Sequence, residues 1–223
     1  MTSVTSESSF KMTDADFNVV SQPQVPCVVI CDVSSSMTGD PIEELNDGLS
    51  LLCDELANDP IAATAVDLAI VTFGRSVELQ QPFSKVGAFP PVLIAGGSTP
   101  MGAGVSLALD ELARRQKYFE QHQIPQRRAW VYLISDGQPT DEIIDVAARA
   151  RTLQLQNKLL LYSIGVAGAD MATLGSFSTQ KPLALKGLMF AELFRWVSQS
   201  MSGASRRQDF GAGDAPCTDG FAK

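Results

Sequence analysis

Short apolar runs alternate along this chain with segments of helical periodicity, and that alternation limits the fold more than any other feature. Four runs rich in Val, Ile and Leu have the length of buried strands: one ends at Ile30, and the others cover residues 66–73, 130–135 and 159–166. Apolar spacing predicts helices over about 41–58, 102–121, 142–156 and 189–201. Strands that alternate with helices predict a parallel sheet covered on both faces.

Shorter segments complete the predicted sheet. Residues 76–83 alternate more strongly in polarity and follow a tight Gly74-Arg75 junction, which predicts an antiparallel edge strand joined by a hairpin. A short helix is expected over 171–177 and a last short strand over 183–185. The fold class is therefore α/β: doubly wound and Rossmann-like, with a mostly parallel six-stranded sheet, one antiparallel edge strand and helices on both faces.

The first helix has clear boundary signals. Asp40 is suited to the N-cap and Pro41 to the first helical position. Asn58-Asp59-Pro60 should end the helix, because proline cannot continue it.

The length and composition favour one domain. The chain has 223 residues, of which 45% are hydrophobic, enough for a single α/β domain with a substantial core. We expect a flexible N-terminal arm over residues 1–23, one domain over residues 24–202 and a disordered C-terminal tail over residues 203–223. Both terminal segments are rich in small and polar residues and have little periodicity.

The charge and hydropathy patterns argue against two classes of partner. A formal net charge of −8 disfavours nucleic acid, because little would neutralise the phosphates. No run of 18 or more apolar residues occurs, so no membrane span is expected.

The first residues lack the basic and apolar blocks of a secretory signal, so we expect a cytoplasmic protein. The four cysteines contain no CxxC pair and are expected to be reduced structural thiols; they are Cys27, Cys31, Cys53 and Cys217.

Oxygen-bearing side chains occupy every second position after the first apolar run. Asp32, Ser34 and Ser36 follow this run directly, so their side chains can converge at the carboxyl end of a strand. Converging carboxylate and hydroxyl oxygens favour a hard divalent cation such as Mg²⁺. The same residue types also serve as caps in a plain strand-to-helix turn.

Two later loops carry one further oxygen ligand each. Thr99 lies in a glycine-flanked loop, residues 96–102, that opens a helix, and Asp136 follows an apolar strand and precedes Gly137. Turn and capping roles are the competing interpretation here too. Ligands of such folds bind beyond the carboxyl ends of the strands, where both loops should lie.

The ordered set of these five residues resembles the metal-ion-dependent adhesion site of von Willebrand factor A domains. The resemblance spans about residues 25–200 and implies five metal ligands: Asp32, Ser34, Ser36, Thr99 and Asp136. It implies Mg²⁺ as the cofactor, with Mn²⁺ or Ca²⁺ as alternatives. It also implies a partner protein that supplies an Asp or Glu carboxylate to the metal.

A finer resemblance is carried by residues 36–43, 46–49 and 71–74. These segments are similar to small bacterial von Willebrand A proteins of the TerY type, which are associated with tellurium resistance and stress responses. That resemblance implies a protein kinase and a PP2C-type phosphatase as partners, and phosphorylation of Ser or Thr. The zinc-ribbon extension of some members has no counterpart here.

An enzymatic alternative is a Mg²⁺-dependent phosphatase or hydrolase of the haloacid-dehalogenase type. Those enzymes use Asp-x-Asp after the first strand, whereas Ser34 holds the second position here, and a hydroxyl cannot do the proton transfer of a carboxylate at neutral pH. The chain also lacks GxxxxGK[ST] and GxSxG motifs, and its only histidine is His122. We therefore expect a non-enzymatic protein without catalytic residues.

The tail offers a further hypothesis. Asp214 or Asp219, or an acidic group of another copy, could bind the cation at the position left for a partner.

Overall fold

The computed structural model describes residues 22–87, 90–136, 138–166, 168–185 and 190–206, with side chains up to Gly203. The predicted N-terminal arm lies outside these ranges except for residues 22 and 23. The predicted tail lies outside them from residue 207 onward, including Asp214, Asp219 and Cys217.

Six strands form one sheet in the order β3-β2-β1-β4-β5-β6. All neighbouring pairs are parallel except β2 and β3, which are antiparallel. The strands are β1 (Val25–Asp32), β2 (Val66–Phe73), β3 (Val77–Lys85), β4 (Ala129–Ser135), β5 (Leu159–Gly165) and β6 (Leu183–Ala184). The predicted α/β sheet, with its single antiparallel edge strand, is thus confirmed.

The burial of each strand follows its place in the sheet. Every residue of β1, β2, β4 and β5 is buried, as expected of strands covered on both faces. β3 instead alternates between partly buried and exposed residues, because it lies at the edge and presents one face to solvent.

Helices cover both faces of the sheet. They are α1 (Asp40–Asn58), α2 (Pro60–Ala65), α3 (Met101–Gln121), α4 (Ile144–Leu155), α5 (Met171–Ser176) and α6 (Phe190–Arg206). Helices α1, α2 and α6 share one buried apolar cluster with the sheet, and α3, α4 and α5 share the other. Among the described residues, no helix has both the length and the apolar character needed to cross a bilayer.

Two helix starts differ from the sequence predictions. Gly39, with φ of 88°, is the N-cap of α1, so Asp40 is its first helical residue instead of the cap. Helix α1 ends at Asn58, as the Asn58-Asp59-Pro60 signal predicts, and the chain is extended at Asp59; Pro60 then begins α2, a helix that was not predicted. The Asp59 carboxylate caps α2 by accepting hydrogen bonds from the N–H groups of Ile61 and Ala62, at 3.0 and 3.2 Å.

Helix α6 is longer than predicted. It was predicted over 189–201 but continues to Arg206, past residue 203, where the tail was expected to begin. The prediction ended where the large apolar residues end, at Met201. Ser202 is nevertheless only 7% exposed, so the helix continues to pack against the domain through a small residue.

Helices α1 and α6 approach closely at Gly48. A Cβ atom at this position would lie 2.5 Å from Cδ2 of Phe194 and 3.1 Å from Cβ of Phe190. The absence of a side chain at Gly48 therefore allows the two helices to pack together.

The three described cysteines are buried thiols without a disulfide. Burial raises the pKa of Cys27 and Cys31 far above the ordinary thiol value and raises that of Cys53 to about 11. They are therefore uncharged core residues, which agrees with the structural role expected for them.

The central strands define where a ligand can bind. After β1 the chain crosses to β2, and after β3 it crosses back to β4 on the other side of β1. In open α/β sheets, ligands bind at such a switch point, beyond the carboxyl ends of the strands. Here the switch point lies between β1 and β4.

Candidate functional site

The residues predicted as metal ligands lie on three loops around this switch point. Asp32 is the last residue of β1, and Asp136 follows directly after β4, the neighbouring strand. Ser34 and Ser36 lie in the turn after β1, and Thr99 lies two residues before the start of α3.

Asp32 is a fully buried carboxylate that accepts two short hydrogen bonds. Its Oδ1 accepts from the Ser34 N–H at 2.8 Å, and its Oδ2 accepts from the Ser135 hydroxyl at 2.6 Å. Both donors are uncharged, and together they fix the orientation of the carboxylate.

The turn after β1 brings the two serine hydroxyls together. A short 3-10 helix, Ser35–Met37, folds the chain back, and the Oγ atoms of Ser34 and Ser36 lie 2.9 Å apart. Ser34 is buried whereas Ser36 is exposed, so the pair runs from beside Asp32 toward the surface.

The glycine loop is bound directly to this turn. The N–H and hydroxyl of Ser35 both donate to the Gly97 carbonyl, at 3.1 and 3.0 Å, and the Gly96 N–H donates to the Val33 carbonyl at 2.7 Å. Gly97 has φ of 90°, and a Cβ there would lie 2.4 Å from the backbone nitrogen of Arg75. Glycine is therefore required for the loop to reach this position.

Thr99 is held through its backbone. Its N–H donates to the Thr140 hydroxyl at 3.2 Å, and its carbonyl accepts from the N–H groups of Thr140 and Met101 at 2.9 and 2.8 Å. Thr99 is only 8% exposed. Its own hydroxyl makes no hydrogen bond to any residue that the structure describes, so the oxygen is available to a ligand.

Asp136 combines a turn contact with a second, unused oxygen. Its Oδ1 accepts from the Gln138 N–H at 3.2 Å, which is the turn role that the sequence also allowed. Its backbone carbonyl accepts from the Asp170 N–H at 2.7 Å, which ties this loop to the start of α5. Its Oδ2 has no partner in the described part of the chain.

The buried Asp32 carboxylate lies near the charge of Asp136, which is itself only partly buried. Burial raises the pKa of Asp32, hydrogen bonds from Ser135 and Ser34 lower it in part, and the nearby charge of Asp136 raises it again. Neither Asp32 nor Asp136 forms an ion pair with a Lys, Arg or His within the described ranges. Charged groups are rarely buried without a compensating partner.

The chemistry of the donor set fits a hard divalent cation. Each of the five predicted ligands offers oxygen, and only two of them are anionic. No cluster of three or more His, Cys, Asp or Glu side chains suited to a metal occurs in the described residues. The set therefore fits Mg²⁺ better than a softer metal that prefers nitrogen or sulfur ligands.

Three residues of the site were not identified from the sequence. Ser135 is a donor to Asp32, and Thr140 and Asp141 join the loops that carry Thr99 and Asp136. The sheet register would have identified Ser135, because Cys31 pairs with Ile134 and the next pair along the strands is Asp32 with Ser135. The roles of Thr140 and Asp141 depend on contacts between loops about 40 residues apart, for which the sequence carries no comparable signal.

Comparison with known proteins assigns the family. The model of the von Willebrand factor type A domain matches residues 27–192. Matrilin-3 of Gallus gallus is 27% identical over 159 residues, which are 66% of this chain and 32% of matrilin-3. The chain thus spans about a third of the length of that relative.

Solved structures share the fold at low sequence identity. The vWF domain of the type V pili tip protein Mfa5 from Porphyromonas gingivalis has a TM-score of 0.65 and 13% identity, covering 84% of this chain and 98% of that domain. Proximal thread matrix protein 1 from the mussel byssus, in a structure with a zinc-occupied MIDAS motif, has a TM-score of 0.55 and 18% identity. That match covers 81% of this chain and 48% of the mussel protein. None of these comparisons supports the haloacid-dehalogenase alternative.

Proposed function

The chain belongs to the von Willebrand factor type A domain family, and from this membership we propose that it is a non-enzymatic module for protein interaction. In this proposal Asp32, Ser34, Ser36, Thr99 and Asp136 hold a divalent cation. The cation then binds an acidic side chain of a partner protein.

The observation that carries the proposal is the environment of Asp32. Its carboxylate is fully buried close to that of Asp136, and within the described residues no cationic side chain pairs with either. A bound cation would supply the missing positive charge. The hydroxyl of Thr99 and the second oxygen of Asp136, both without partners among those residues, are suited to contact it.

The balance of charged and neutral ligands favours docking of an anion. Asp32 and Asp136 would hold the cation directly or through water, and the three hydroxyls would add neutral oxygens, so that a coordination position is left for a further anionic group. A partner's Asp or Glu carboxylate meets that requirement, since a hard cation prefers oxygen ligands. Mg²⁺ is the proposed ion, with Mn²⁺ or Ca²⁺ as alternatives; the mussel protein holds zinc at its own motif.

The same donor set argues against hydrolysis. Asp32 has no second carboxylate two residues later, and the neighbouring Ser34 hydroxyl contacts Ser36. The chain therefore lacks the second carboxylate that enzymes of the haloacid-dehalogenase type use as acid and base at this position. Docking therefore remains the proposal and hydrolysis is set aside.

The cellular setting follows from the finer resemblance to TerY-type proteins. We place the chain in the cytoplasm of a bacterium, within a stress-response or phosphorylation system. A protein kinase and a PP2C-type phosphatase are the proposed partners.

Metal binding is the first test of the proposal. Calorimetric titration of Mg²⁺ into protein stripped with EDTA should show one site in the wild type and none in Asp32→Ala. Glu120→Ala is the matched control, because Glu120 is an exposed carboxylate in the last turn of α3, about 30 Å from the start of that helix. Equal binding by the wild type and Asp32→Ala would refute the assignment.

Partner binding is the second test. Capture of the proposed kinase or phosphatase by the immobilised wild type should require Mg²⁺ and should be lost with EDTA or with Asp32→Ala. Capture that persists unchanged under both conditions would contradict docking through a metal.

A further inference from the structure

Two of the ligand loops are joined by a reciprocal backbone and side-chain contact. The Thr99 N–H donates to the Thr140 hydroxyl at 3.2 Å, and the Thr140 N–H donates to the Thr99 carbonyl at 2.9 Å. Thr99 carries a candidate ligand, and Thr140 lies four residues after Asp136, another candidate ligand. The contact therefore links the two ligands across different segments of the chain.

The next residue, Asp141, binds the start of helix α3. Its Oδ1 accepts from the Gly102 N–H at 2.9 Å, and its Oδ2 accepts from the Ala103 N–H at 2.8 Å. Pro100, at the N-cap position of α3, makes no side-chain cap. The carboxylate of a distant loop thus supplies the cap and lies at the positive end of the helix dipole.

The two loops approach too closely to tolerate a side chain between them. A Cβ at Gly102 would lie 2.3 Å from the Glu142 carbonyl oxygen and 3.0 Å from Oδ2 of Asp141. The start of α3 and the segment that carries Asp141 therefore pack against each other through their backbones at Gly102.

We propose that Thr140 and Asp141 are positioning residues that hold the Thr99 loop against the Asp136 loop, so that both ligands meet the cation in one fixed arrangement. This inference rests on the proposed metal site. Neither residue needs to touch the cation. Their action is to prevent the Thr99 hydroxyl from moving independently of the Asp136 carboxylate.

Residues that orient metal ligands without touching the metal commonly matter for affinity, and their substitution typically weakens metal binding by about 10–100-fold. We expect a loss in that range for Thr140→Val, which keeps the side-chain shape but removes the oxygen that accepts from the Thr99 N–H. Thr140→Ser restores that oxygen and should restore wild-type affinity. Neither substitution changes the charge, so a loss in Thr140→Val cannot come from a weaker electrostatic field.

Asp141→Ala should also weaken binding, and Asp59→Ala is its matched control. Asp59 likewise accepts from two N–H groups at the start of a helix, α2, but it lies on no ligand loop. Both variants lose a cap and should unfold at a lower temperature. Only Asp141→Ala should lose affinity for the metal.

The experiment is a Mn²⁺ titration of the full chain, followed by electron paramagnetic resonance, with thermal unfolding measured in EDTA. Wild-type affinity in Thr140→Ser and Asp59→Ala, with about 10–100-fold losses in Thr140→Val and Asp141→Ala, would support the inference. Unchanged affinity in Thr140→Val and Asp141→Ala, while the wild type binds, would overturn it and leave the metal site intact. If the wild type itself binds no Mn²⁺, the proposed function fails and the inference falls with it.

Discussion

Asp32→Asn should stabilise the protein in the absence of metal while it removes metal binding. Asparagine has the same shape as aspartate. Its amide oxygen can accept from the Ser34 N–H, and its amide nitrogen can donate to the Ser135 hydroxyl, which accepts as well as donates. The substitution therefore keeps both contacts and removes only the charge.

The expected size of this effect follows from burial. The Asp32 carboxylate is fully buried close to that of Asp136, and in EDTA no described cationic group offsets the charge. Removing an uncompensated buried charge should raise the free energy of unfolding by about 1–3 kcal/mol. For a domain of this size each kcal/mol shifts Tm by about 2–4 °C, so a rise of roughly 2–12 °C is expected.

Asp67→Asn is the control with the opposite sign. Asp67 is also fully buried, but it forms an ion pair with Arg115 at 2.5 Å. Loss of that charge leaves the arginine unpaired and should lower the free energy of unfolding by roughly 1–3 kcal/mol. This loss is smaller than for a fully buried ion pair, because Arg115 is partly exposed.

Differential scanning calorimetry in EDTA and in excess Mg²⁺ measures both variants. Wild-type protein and Asp67→Asn should gain Tm with Mg²⁺, whereas Asp32→Asn should not. A lower Tm for Asp32→Asn in EDTA would show that the chain already compensates the Asp32 charge, and the reasoning from burial would be refuted.

Three other predictions concern packing, the Thr99 hydroxyl and the tail. Gly48→Ala should lower Tm because its Cβ would overlap Phe194. Gly203→Ala lies in a helix with open space around it and should raise the free energy of unfolding by up to about 1 kcal/mol. Equal shifts of Tm in the two variants would contradict the close contact of α1 with α6. Thr99→Ser should keep Mg²⁺ affinity and Thr99→Val should lose it, as measured by calorimetry; a Val variant that binds normally would remove Thr99 from the ligand set. Deletion of residues 207–223 should strengthen metal-dependent binding of the partner, because the tail carboxylates no longer compete; unchanged partner binding in a pull-down would rule out that competition.

Much of the sheet could be predicted because buried parallel strands have a simple sequence pattern. Strand β2 has the predicted bounds of residues 66–73, and the start of α3 differs from its prediction by one residue. The continuous apolar runs permit few other structures, since strands buried on both faces need apolar residues at every position.

Helix ends were harder to predict because they depend on local backbone geometry and on tertiary packing. Gly39 is the cap of α1 through its positive φ, although Asp40 is the better capping residue by type. Helix α6 extends past its last large apolar residue because Ser202 remains buried. Neither effect changes the apolar periodicity from which the helices were inferred.

Most of the candidate ligands could be found from the sequence because they follow strands whose ends meet in space, whereas Thr99 was indicated by the glycine loop that opens α3. The residues that orient them could not, since Thr140 and Asp141 contact a loop about 40 residues earlier through backbone N–H groups. Backbone donors carry no residue-specific signature. The finer TerY-type assignment, with its kinase and phosphatase partners, stays a prediction.

A crystal structure of the protein grown with Mn²⁺, with anomalous diffraction data, tests the proposed metal site most directly. We predict one strong anomalous peak at the carboxyl ends of β1 and β4, with oxygens of Asp32, Ser34, Ser36, Thr99 and Asp136 around it, either bonded directly or through water. If those side chains point apart and no peak lies between them, these residues do not form a metal site.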